Sequence, residues 1–280
     1  MTFILMLAVN LLVGVCVGLT GIAGFLLPMF YSGFLGYLST ISLALSFSVF
    51  LVSGVLGSVN YYRNGSLDIR TGCVLSLGSF LGAVFGVRLN LLIPETWIKT
   101  ILYLVVLGSG ISILIREHLS SAKASSKRMG REKTGYKTEA ESDAVRPHHG
   151  NVFYIILGTA AGAVCAASGA GGPVLVMPLL TMCGFPAHTA VGIALFDSIF
   201  IAVPAALGYL KAAIAMRVSV SAPSVLTVTA ALHALPFLLV FHGIGVYAGS
   251  RYAVRINQKL LKTIVAAASI GIACLKLSGF

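Results

Sequence analysis

Charge is what this chain has least of. Lys, Arg, Asp and Glu make up 10% of its 280 residues, against about a quarter in a soluble domain. Between Met1 and Tyr62 there is none, and between Pro147 and Leu210 Asp197 stands alone. Such runs far exceed the roughly 20 apolar residues that cross a bilayer. With 58% hydrophobic residues, a soluble fold could not cover its own apolar surface. A water-soluble enzyme is excluded, and the sequence predicts an all-α, polytopic membrane helix bundle. Cysteine is also sparse. Cys16, Cys73, Cys165, Cys183 and Cys274 are scattered through apolar segments with no CxxC pair or Cys/His ligand spacing, which argues against a disulfide framework or a zinc site. No basic stretch precedes the first apolar run, so that run reads as a membrane helix and not as a removed signal.

The charge that is present sits in particular places. The net charge is +11, which invites a nucleic-acid reading. Residues 116–150, however, mix basic side chains (Arg116, Lys123, Lys127, Arg128, Arg131, Lys133, Lys137, Arg146) with acidic ones (Glu117, Glu132, Glu139, Glu141, Asp143). This is a polar, Ser-containing linker without an aromatic stacking platform, so no nucleic-acid partner is expected. Its composition cannot bury enough surface to order it, and it is expected to be dispensable for function. The other basic residues flank apolar segments, where lipid headgroups favour them.

Turn residues and charges divide the chain into apolar pieces at about 3–36, 40–60, 71–92 and 98–115, then 152–185, 189–210, 220–248 and 261–278. That gives about eight transmembrane helices in two repeats, 1–115 and 151–280, joined by the linker. A shift of 148 carries Gly14, Gly21, Gly24 and Gly36 onto Gly162, Gly169, Gly172 and Gly184. A shift of 163 carries Gly82, Gly86 and Arg88 onto Gly245, Gly249 and Arg251. Internal repeats of this kind mark secondary transporters.

The first piece of each half holds 34 residues, about 50 Å as a single helix against a hydrocarbon core of about 30 Å. Its middle carries Thr20-Gly21-Ile22-Ala23-Gly24 and Pro28 in one half, Ser168-Gly169-Ala170-Gly171-Gly172-Pro173 and Pro178 in the other. Such clusters disfavour continuous helix, and unwound backbone at membrane depth must be buried in protein or face a water-filled cavity. Each half is therefore expected to open with a broken or re-entrant helix. The spaced pairs Gly14/Gly18, Gly158/Gly162, Gly78/Gly82/Gly86 and Gly245/Gly249 fit close helix packing instead.

The order of these motifs resembles the sulfite exporter TauE/SafE family of membrane transporters. The resemblance rests on Gly158-xxx-Gly162, Ser168 to Pro173, Pro178, Ala190-Val191-Gly192, and the closing Gly86-Val87-Arg88 and Gly249-Ser250-Arg251. It covers nearly the whole chain except the linker, and the first half departs at Ile22-Ala23-Gly24-Phe25, where a fuller glycine run is typical. The resemblance implies movement of small sulfur-containing anions, sulfite or organosulfonates, in either direction and without a cofactor.

An anion crossing hydrocarbon needs fixed donors in place of its hydration shell. Backbone amides at a half-helix N-terminus supply them, and glycine lets the ligand approach. The candidate binding residues are Thr20, Gly21, Gly24, Ser168, Gly169, Gly171, Gly172 and Pro173. Valine at Gly171 or Gly172 is expected to abolish transport, with alanine at the packing residue Gly158 milder. Asp197, the sole intramembrane acid, reads equally as a proton-coupling group or as a structural hydrogen-bonding one. Arg88 and Arg251 are candidate electrostatic residues, though headgroup anchoring accounts for them as well. Near Pro186, His188 fits capping or solvent contact.

The expected partners are a small anion and the lipid bilayer, with a homo-oligomer left open. A carrier of another metabolite on the same scaffold is the nearest alternative. An intramembrane enzyme would need a Ser/His/Asp set, paired aspartates or a His-rich metal signature, and none is present. The basic linker places itself and both termini on the cytoplasmic side of a cell membrane. If the first segments are re-entrant, each half instead makes three crossings and the repeats are inverted.

Overall fold

The computed structural model describes residues 2–20, 23–94, 150–219 and 222–252, together with isolated positions between 96 and 115 and between 267 and 274. The 116–149 linker, most of the 98–115 and 261–278 pieces, and Gly21 lie outside the described residues. Eight helices and no strand occur among the described residues. They are α1 (Thr2–Thr20), α2 (Ala23–Phe34, passing from a 3-10 turn through one α-turn to a π-turn), α3 (Ser39–Arg63) and α4 (Ile69–Leu92), then α5 (Asn151–Ser168), α6 (Gly172–Met182), α7 (Ala187–Ser219) and α8 (Ala222–Tyr252). All but α2 and α6 contain a stretch long and apolar enough to span a bilayer. The chain is a polytopic helical membrane bundle.

Neither long opening segment is one continuous α-helix, as the glycine clusters predict. The second breaks between Ser168 and Gly172; the first passes from α1, described to Thr20, to the 3-10 turn at Ala23, and Gly21 and Ile22 at that break lie outside the described residues. Each break leaves a short apolar helix, α2 or α6, too short to span. Elsewhere a charge does not end the helix. Lys211 closes the expected 189–210 piece, yet α7 runs on to Ser219, because a helix satisfies its own backbone hydrogen bonds whatever its side chains face. At the opposite kind of boundary, Asp68 caps α4 by accepting from the Arg70 and Thr71 amides at 3.1 and 3.3 Å, which satisfies two of the unpaired donors of the first turn.

The two halves interlock. α1 packs on α8, α5 packs on α4, and α3 packs on α7, so the opening helix of each half lies against the third long helix of the other. Glycine makes these contacts possible. A Cβ on Gly158 or Gly162 would run into the carbonyls of Leu75 and Ser79 on α4, and one on Gly78, Gly82 or Gly86 into those of Ile155, Thr159 and Ala163 on α5. Across the other pair, Gly14 and Gly18 meet the carbonyls of His242 and Val246, while Gly245 and Gly249 meet those of Leu11 and Val15. The packing reading of these four glycine sets holds. Gly158→Ala, expected to be milder than valine at Gly171 or Gly172, would set its methyl against the Leu75 carbonyl, backbone that cannot swing aside.

Candidate functional site

The second break is built from two left-handed glycines. Gly169 (φ 76°) ends α5 by donating its amide to the Cys165 carbonyl at 2.9 Å. Gly171 (φ 70°, ψ 144°) turns the chain into α6, which starts at Gly172 with Pro173 in its first turn. Only glycine adopts such φ values without strain. No side chain caps α6, and the amides of Ala170, Gly171 and Gly172 have no partner among the described backbone hydrogen bonds. A buried, uncapped helix N-terminus is a set of aligned donors with nothing yet to receive them.

These amides border a small cavity where the two breaks meet. Gly24 lines it from the first break, and Ala170, Gly171, Gly172 and Pro173 line it from the second. The long helices α3 and α7 contribute Phe47, Phe50 and Ser53 on one side, Leu195, Ser198 and Ile201 on the other. The same 148-residue shift that carries Gly24 onto Gly172 carries those three α3 residues onto those three α7 residues. The lining of the cavity thus pairs under the same shift that relates the glycines of the two halves. None of its lining side chains is charged. Its volume is about 20 Å³, room for about one water molecule.

Phe50 reaches toward both glycine segments from α3. A Cβ on Gly24 would lie 3.0 Å from its Cε1 atom, and one on Gly171 would lie 3.5 Å from its Cε2. The ring is thus wedged between the two breaks. It is held edge-on by Phe47 (centroids 5.6 Å apart), which stacks on Tyr209 at 5.9 Å. The Tyr209 hydroxyl donates to the Ala166 carbonyl at 2.8 Å, just ahead of the second break.

Four of the residues singled out in the sequence, Gly24, Gly171, Gly172 and Pro173, come together at this cavity. Thr20 closes α1 at the first break. Ser168 is buried but donates its hydroxyl to the Val164 carbonyl at 2.7 Å. Gly169 faces Leu43 and Pro28 instead of the cavity. Arg88 and Arg251 are exposed, near the C-terminal ends of α4 and α8. Asp197 is fully buried one residue before Ser198, and neither of its carboxyl oxygens has a hydrogen-bond partner. His188 is exposed at the start of α7. Sequence reasoning missed Phe50, Ser53 and Ser198. The signal was available in the repeat itself, since applying its shift to α3 and α7 pairs the cavity-lining positions.

Among the described residues no group of three or more His, Cys, Asp or Glu residues is arranged to hold a metal ion. A family model described as Sulfite exporter TauE/SafE matches residues 6–276. No curated protein and no solved structure matches the chain.

Proposed function

Since the chain belongs to the sulfite exporter TauE/SafE family, a family of membrane transporters for sulfite-type anions, we propose that it carries sulfite or a small organosulfonate across a cell membrane. The anion is held between the two helix breaks. The observation that carries this reading is the uncapped N-terminus of α6, opening onto a cavity shared with Gly24 of the other break. A tetrahedral or pyramidal oxyanion presents several acceptor oxygens, and a fan of amides at a helix N-terminus matches that need without a charged side chain. A site built from partial charges also releases its ligand more readily than one built from a buried arginine. Because the cavity holds only about one water, transport requires the breaks to part and Phe50 to withdraw, exposing the site to each side in turn.

The test is radiolabelled sulfite uptake into proteoliposomes of the purified chain, with protein-free vesicles as control. Saturable uptake, competed by small sulfonates and lost in Gly171→Val at equal levels of folded protein, is the expected result. Uptake no faster than in empty vesicles would refute the reading. If folded Gly171→Val transports at the wild-type rate, the anion site lies elsewhere.

A further inference from the structure

Behind the cavity, on the face of α7 turned toward α4 and α5, lies a second polar site. Asp197 is 0% exposed, and the side chains of Ser79 and Ser76 on α4 face its carboxyl. These serines are 0% and 1% exposed. Most buried serines in this bundle satisfy themselves locally. Ser42, Ser46, Ser48 and Ser58 donate to the carbonyl four residues back, and Ser53 and Ser198 to the one three back. Ser76 and Ser79 do neither. Both hydroxyls are set against the Asp197 carboxyl instead, outside good hydrogen-bond geometry.

Two hydroxyls set against a carboxylate can donate to it but cannot neutralise it, and a charge left unneutralised in a dry interior is costly. An anionic carboxylate buried in this way requires a compensating positive charge. We propose that Asp197, Ser76 and Ser79 bind one monovalent positive charge, a sodium ion or a proton, that travels with the anion. A sodium ion would take the carboxyl and hydroxyl oxygens as hard ligands. A proton would sit on an Asp197 carboxyl oxygen, which would then donate to a serine hydroxyl. The link to anion movement rests on the carrier function proposed above, but the charge site itself does not.

The route between the two sites is short. Ser198, next to Asp197, lines the anion cavity, and the Cys165 thiol donates to the Gly171 carbonyl at 3.5 Å while lying within the electrostatic reach of Asp197. Other titratable groups on the packed elements look elsewhere. On α4, Arg70, Cys73 and Arg88 are exposed; on α5, Tyr154 packs against Phe185; on α3, Tyr61 lies against Gly192, with Tyr62 and Arg63 exposed; and α6 carries none but its closing Cys183, at the far end from the break. On α8, His242 faces the Asn10 carbonyl of α1 at 3.2 Å and His233 is exposed.

The test begins without any anion, on the full chain in sodium-free detergent buffer. For a sodium site, radioactive sodium binds saturably and sodium raises the thermal midpoint at fixed pH, and Asp197→Asn abolishes both effects. For a proton site, sodium has no effect, while the wild-type midpoint depends on pH and Asp197→Asn loses that dependence. Should Asp197→Asn fail to fold, Ser79→Ala retains the carboxyl. Loss of one such oxygen is expected to weaken sodium binding, or to lower the proton affinity read from the pH response, by about tenfold. In proteoliposomes, the wild type accumulates sulfite when driven by the relevant gradient, whereas Asp197→Asn only exchanges it. A wild type that responds to neither sodium nor pH overturns the proposal, as does a folded Asp197→Asn that responds like wild type. A chain that binds the charge but moves no sulfite upholds the charge site and refutes the carrier reading.

Discussion

The two helix breaks occupy equivalent places in the repeat but are built differently. The second has left-handed glycines at 169 and 171 and a regular, uncapped helix beyond them. Past the first, α2 winds successively as 3-10, α and π helix, and the side chain facing Gly24 is an aromatic ring. The long helices repeat the contrast: Phe50 in α3 corresponds to Ser198 in α7, and Val49 to Asp197. At these two positions the first half has an aromatic ring and a valine where the second has a hydroxyl and a carboxyl. The described uncapped amides that border the cavity belong to the second half.

The largest effect should come where the halves are alike. Gly158→Ala and Gly245→Ala each drive a methyl into a facing backbone carbonyl, forcing two helices apart. Both should lose about 3 kcal/mol, the upper end of the usual overpacking cost, seen as a large fall in thermal midpoint and in folded yield. If only one is affected, the two interfaces are not equivalent.

Next come the breaks. At Gly171 an added Cβ meets Phe50 at an ordinary 3.5 Å, but the φ of 70° penalises any side chain, by about 1–2 kcal/mol. Sulfite affinity of folded Gly171→Ala should fall about tenfold. At Gly24 the methyl presses a movable ring at 3.0 Å with no positive φ, and Gly24→Ala should cost clearly less. Equal losses would mean that both halves hold the anion alike.

The smallest effect on stability, and the most selective on function, is expected from Phe50→Leu. A comparable-volume apolar exchange costs under about 1.5 kcal/mol, yet it removes the ring that separates the breaks. The ratio of organosulfonate to sulfite uptake should rise, as competition assays would show. An unchanged ratio would remove Phe50 from the selectivity of the site.

Much of this was legible in the sequence. The scarcity of charge requires a membrane, because apolar runs of this length have no other solvent. The Gly-Pro clusters disfavour continuous helix, and the second is broken at Gly169 and Gly171, where φ is 76° and 70°; the repeat is a reading of spacing alone. What the glycines do was decided only by the fold. Gly158 and Gly171 are both bare backbone, and a residue without a side chain carries no sign of what stands opposite. One turns out to meet the Leu75 carbonyl across an interface, and the other lines the cavity beside Phe50. Asp197 announces itself by its isolation, but its serine neighbours lie more than a hundred residues away on a helix of the other half. Composition and period are properties of one segment; which faces meet across a bundle depends on packing all of them at once.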